Sequence, residues 1–61
     1  MNPENARREE AGEWLRVAGD DLRLAETALT LVPPITGLAL YHAQQVAEKA
    51  LKAYLVFRGQ A

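Results

Sequence analysis

The sequence predicts an all-α chain folded as an antiparallel two-helix hairpin, two copies of which pair into a four-helix bundle. Three observations carry that expectation. Apolar residues recur at helical spacing on both sides of one break, Val32-Pro33-Pro34-Ile35. That break is short, so two long helices must fold back on each other. The apolar arc of each helix spans about half its circumference, wider than a single neighbouring helix covers.

The first helix is expected over about residues 4–31. Asn2-Pro3 is a good start, with Asn2 as cap and proline tolerated in the first turn. Glu4, Glu9 and Glu10 sit near the positive end of the helix dipole. Gly12 and Gly19 are isolated, each costing ~1 kcal/mol relative to alanine, and Gly12 leaves open a later start. Steps of 100° gather Ala11, Trp14, Leu15, Ala18, Leu22, Ala25, Leu29 and Val32 on one face. Val17, Leu24, Ala28 and Leu31 widen it, and Arg16, Arg23, Glu26, Thr27 and Thr30 lie opposite.

Neither proline of the 32–35 segment can donate a backbone hydrogen bond, and each disfavours helix before it. Thr36 is the expected cap of a second helix over about 37–58, stopped at Gly59 in a left-handed conformation. Its buried face is expected to hold Ala39, Leu40, Ala43, Val46, Ala47, Ala50, Leu51, Ala53, Tyr54 and Phe57. The alanines permit close approach of another helix. Residues 1–61 thus read as one helical hairpin, without strand signals, repeats or low-complexity tracts.

Sixty-one residues bury only ~60% of the surface their unfolded chain exposes. Ordering them costs roughly 1.5 kcal/mol per residue, which leaves an isolated monomer near zero net stability. There is no cysteine, hence no disulfide and no thiolate ligand. A net charge of -1 removes the usual electrostatic footprint of a nucleic-acid binder. No apolar run approaches the ~20 residues of a membrane span, and the start, Met1 to Arg8, lacks an apolar signal core. The reading is a soluble cytoplasmic protein.

The polar residues that interrupt the apolar faces are the candidate sites. His42, Gln45 and Lys49 occupy successive turns along one edge of the second helix, with Glu48 and Lys52 further out. Lysine charge beside histidine and glutamine hydrogen-bonding groups suits a phosphate or a partner contact. The same edge suits the polar boundary of a packed helix, with His42 and Gln45 bonded to the first helix or to a partner, and this is the preferred reading. Asp21 projects into the apolar side of the first helix between Trp14, Val17, Leu24 and Ala28. A carboxylate there is costly unless paired, so it is read as a structural contact to Lys49, His42 or Tyr41. Trp14, Leu22, Tyr54 and Phe57 are the expected interface anchors. Tyr41 suits either a base-stacking surface or a bundle edge. A lone histidine cannot make a zinc site, so neither metal nor cofactor is expected.

Two stretches carry a family resemblance. The first is Trp14…Ala18…Asp20-Asp21-Leu22…Ala25. The second, more specific, is Tyr41-His42-Ala43-Gln44-Gln45-x-Ala47-Glu48-Lys49-Ala50-Leu51-Lys52-Ala53. Together, over roughly residues 12–59, the chain resembles the first half of the HEPN domain. The resemblance implies a helical bundle that dimerises, in toxin–antitoxin or defence pairs with a nucleotidyltransferase-like partner, acting on RNA or nucleotides. The nuclease branch of the family carries Arg-x(4–6)-His on a later helix. Here the only histidine is His42, and the nearest preceding arginine is Arg23, so that motif transfers to no residue. The chain reads either as the N-terminal half of a larger HEPN protein or as a stand-alone remnant, its open apolar face covered by a second copy, the preferred reading, or by the other half of a larger domain. The expectation is therefore an interaction and dimerisation module that is not catalytic by itself. The alternative is a self-contained dimeric hairpin that binds RNA on its surface.

Overall fold

The computed structural model describes residues 2–60 and contains two α-helices, α1 (Pro3–Thr30) and α2 (Thr36–Phe57), packed along each other. The outer limits of the expected 1–61 domain, Met1 and Ala61, lie outside the described residues. The hairpin is a thin slab of 49 × 17 × 8 Å.

α1 starts at Pro3, not after Gly12. Asn2 is extended, and its side chain accepts a hydrogen bond from the Asn5 amide at 2.8 Å, satisfying one of the orphan donors of the first turn. Ion pairs one turn apart, Glu4–Arg8 and Glu13–Arg16–Asp20, line the outer face. They are exposed and contribute little individually. Near the other end the Thr27 hydroxyl donates to the Arg23 carbonyl and Thr30 to that of Thr27. Helix geometry stops at Leu31, two residues before Pro33.

The turn closes by a backbone bond from the Ile35 amide to the Ala28 carbonyl at 3.0 Å. α2 then begins one residue earlier than expected. Ile35, not Thr36, occupies the cap position, and no side chain caps the helix. At its far end Gly59 adopts φ 72°, the Gln60 amide donates to the Leu55 carbonyl, and the Gly59 amide donates to that of Val56. This is a Schellman stop, which requires a residue that tolerates the left-handed region.

The two helices meet along a seam with alternating spacings of three and four. On α1 it comprises Ala11, Trp14, Ala18, Asp21, Ala25 and Ala28, and on α2 Ala39, His42, Val46, Lys49, Ala53 and Val56. That is the a/d pattern by which two helices keep one stripe in contact. Its buried apolar members are six alanines and Val56, with Trp14 half-buried against Ala11, Ala53 and Val56. A methyl-sized group contributes only about 0.8 kcal/mol when buried, so this seam brings the helices close without holding them strongly.

Here the structure corrects the expected burial. Leu40, Ala43, Ala47, Ala50, Leu51, Tyr54 and Phe57 of α2 are not buried in the hairpin, and neither are Leu15, Leu22 and Leu29 of α1. A 100° plot finds an apolar arc but not which part of it faces the partner helix. Small residues win that place, because only they allow close backbone approach.

Candidate functional site

One polar layer interrupts the alanine seam, and three side chains build it. Asp21 is 6% exposed on α1. From α2, His42 Nδ1 lies 2.7 Å from Asp21 Oδ1, and the Lys49 ammonium donates to Asp21 Oδ2. His42 and Lys49 are seven residues apart, two turns of helix, so both reach one carboxylate lying between them. Each carboxylate oxygen thus has its own donor.

The electrostatics follow. The hydrogen bonds from Lys49 and then His42 hold the Asp21 carboxyl below its usual range, against the opposing effect of burial. An ionised carboxylate can only accept, so Nδ1 of His42 carries the proton and donates it. In the neutral ring this leaves Nε2 as the acceptor, on a side chain that is 16% exposed. The Tyr41 ring meets the His42 ring edge-on, with centroids 5.1 Å apart.

The other candidate residues are spread around this layer. Gln45 donates to Glu48 at 3.3 Å rather than to α1. The Lys52 ammonium sits 5.9 Å above the Trp14 ring, within cation–π range. His42, Gln45, Lys49 and Lys52 therefore form an edge on which two members are bonded to Asp21, one to Glu48, and one rests on an indole. Among the described residues no group of three or more His, Cys, Asp or Glu side chains is arranged to hold a metal.

The apolar anchors lie elsewhere. Tyr54 and Phe57 line a shallow groove of about 290 Å³ with Ala11, Leu15, Ala50 and Ala53. Leu22, 49% exposed, follows Leu15 by seven residues and so lies on the same side. On the opposite side of the slab, Trp14 and Val17 line a second groove with Glu10 and Glu13. A third concavity, along Asp20, Arg23, Leu24 and Thr27, belongs to α1 alone and brings in no α2 residue.

Sequence reasoning missed one participant, Val56, while Leu15 and Ala50, which it placed on the apolar faces, take a different place from the seam. Val56 belongs to the seam, and Leu15 with Ala50 belongs to the groove beside Tyr54 and Phe57. The spacing 42, 46, 49, 53, 56 was present as the signal for Val56, hidden by the larger Tyr54 and Phe57 next to it.

A two-helix seam of small residues, one fully paired polar layer and a wide unpaired apolar face define an all-α helical-hairpin protein. The HEPN domain model matches residues 11–61, and the chain belongs to the HEPN domain family. No curated protein and no solved structure matches it.

Proposed function

We propose that this chain is a HEPN-type interaction and dimerisation module that is not catalytic by itself and works in the cytoplasm. The observation that carries this reading is the inverted distribution of apolar side chains. Alanines fill the seam within the hairpin, while Leu15, Leu22, Leu29, Leu40, Tyr54 and Phe57 each stand about half exposed. An apolar face this broad marks an interface, because water contact at every large side chain forfeits the main driving force of folding. Association of hairpins supplies the missing burial.

The proposed biological setting, which the family resemblance suggests, is a toxin–antitoxin or nucleotidyltransferase-associated pair acting on RNA or nucleotides. His42, Gln45, Lys49 and Lys52 are the proposed contacts to a phosphate or partner. No helix among the described residues is long and apolar enough to cross a membrane. Native mass spectrometry, combined with thermal unfolding followed by circular dichroism over a hundredfold range of concentration, tests the assembly. A dimer whose Tm rises with concentration supports it; a stable monomer with a concentration-independent Tm removes it.

The second reading, RNA binding on the hairpin surface, is favoured by one observation: Lys52 stacked on Trp14 places charge beside an aromatic ring. Affinity for RNA that falls steeply with salt and disappears on changing Lys49 and Lys52 to alanine supports it.

A further inference from the structure

The exposed apolar face is built in relief. Leu15, Leu22 and Leu29 recur every seven residues and form a ridge along α1. Ala43, Ala47 and Ala50, all exposed on α2, form a furrow beside it. The furrow lies level with the Leu15–Leu22 part of the ridge. Asp21 bonds to both His42 and Lys49, so its neighbour Leu22 lies level with Ala43 and Ala47. Leu15 shares its groove with Ala50.

From this relief we infer that a second copy of the chain covers the face about a two-fold axis parallel to the helices, the leucine ridge of each copy seated in the alanine furrow of the other. The proposal rests on the assembly reading above and adds its geometry. Such an axis preserves height along the slab and exchanges left and right. It lays α1 of one copy over α2 of its partner and brings Leu22 over Ala43 and Ala47. A two-fold axis running across the helices would stack ridge on ridge and furrow on furrow. That leaves a void between facing alanines, and unfilled volume in an apolar interface is costly.

Two further observations fit. The slab presents a face of 49 by 17 Å. That is on the order of 800 Å² per copy, the area each partner contributes to a stable standard-size interface. Gly12 and Gly19, which flank the ridge, have no atom within 4 Å of where a Cβ would stand. Nothing within the hairpin calls for glycine there, and each lowers helix propensity relative to alanine. Both leave room for a partner helix to approach α1 closely.

The test uses the full chain and two readouts. Leu22 and Leu24 are equally exposed, at 49% and 50%, but Leu24 lies on the other side of α1 with Asp20 and Thr27. By analytical ultracentrifugation Leu22→Asp should raise the dimer Kd about tenfold or more, with Leu24→Asp close to the unmodified chain. The opposite ranking overturns the proposal by moving the partner to the Trp14 side. Val32, fully exposed in the turn, accepts a nitroxide through Val32→Cys in a chain without other cysteine. In the ridge-in-furrow dimer both turns lie at one end, giving a pulsed dipolar distance well under the 49 Å slab length. A distance comparable to that length, from turns at opposite ends, overturns the geometry while leaving the dimer intact. A monomeric unmodified chain overturns the assembly reading itself, and the geometry with it.

Discussion

Asp21 on α1 and Lys49 on α2, twenty-eight positions apart in the sequence, form an ion pair in the middle of a seam otherwise lined mainly by alanine. With His42 on the second carboxylate oxygen, the pair fixes how far one helix can slide along the other. A shift of one turn would bring Asp21 level with either His42 or Lys49 and carry it away from the other. One carboxylate oxygen would then be left without its donor in a poorly hydrated place, and the penalty for that selects the register.

Replacing Asp21 by alanine should therefore destabilise more than its small volume implies, because Lys49 is left without its partner. The expected outcome is a fall of several degrees in Tm at matched concentration, followed by circular dichroism. Asp21→Asn, which keeps one acceptor, should fall in between. An unchanged Tm for Asp21→Ala would show that the polar layer does not set the register.

Acid should weaken the fold through the same residue. Asp21 has a depressed carboxyl pKa in the folded chain, so near pH 4 the unfolded chain binds more protons than the folded one. The stabilisation from Asp21 is fully present above the unfolded value of about 3.9 and is lost as pH falls through the lower folded value. Tm measured from pH 6 to pH 2.5 should drop less for Asp21→Asn than for the unmodified chain, relative to each protein's value at pH 6. Parallel curves would sink the assignment.

The tautomer of His42 is a direct spectroscopic expectation. At a pH where the ring is neutral, long-range ¹H–¹⁵N correlation spectra should report the proton on Nδ1. In Asp21→Ala the ring should revert toward the Nε2–H form that free imidazole side chains favour. An Nε2–H ring in the unmodified chain contradicts the bond to Asp21.

Close packing of the seam can be probed from both directions. Val56→Ala removes the largest buried aliphatic group from the cluster with Ala11, Ala53 and Trp14 and should cost about 2 kcal/mol. Ala18→Leu forces a larger side chain between helices that alanine holds close, and should cost about 1–3 kcal/mol. Urea unfolding at fixed protein concentration reads both. A neutral Ala18→Leu would mean that the seam is looser than its alanines imply.

At the start of α1, Asn2→Ala removes the acceptor of the Asn5 amide. The expected loss is about 1 kcal/mol, confined to the first turn. Faster hydrogen exchange at Asn5, without change at residues beyond Gly12, is the measurement that checks it.

The local elements were legible in the sequence because they obey short-range rules. Asn2-Pro3 starts a helix, Pro33-Pro34 ends one, and Gly59 stops the next, each through backbone chemistry confined to a few residues. The family was also legible, since the motif from Tyr41 to Ala53 is a local string and the family match covers it. Which apolar residues pack within the hairpin was not. Periodicity placed Ala18, Leu22, Tyr54 and Val46 on apolar arcs of their helices without saying which part of each arc meets the other helix.

Tertiary structure decided that question. Backbone approach favours alanine in the seam, so the large side chains are turned outward and stand about half exposed. It also decided what His42, Lys49 and Asp21 do in the hairpin. The sequence placed a carboxylate on an apolar face and two hydrogen-bonding candidates, His42 and Lys49, on another helix, and only their meeting across the seam gives each oxygen a donor. Helix formation is written in neighbours along the chain; the register, the buried layer and the exposed ridge depend on contacts between residues twenty or more positions apart.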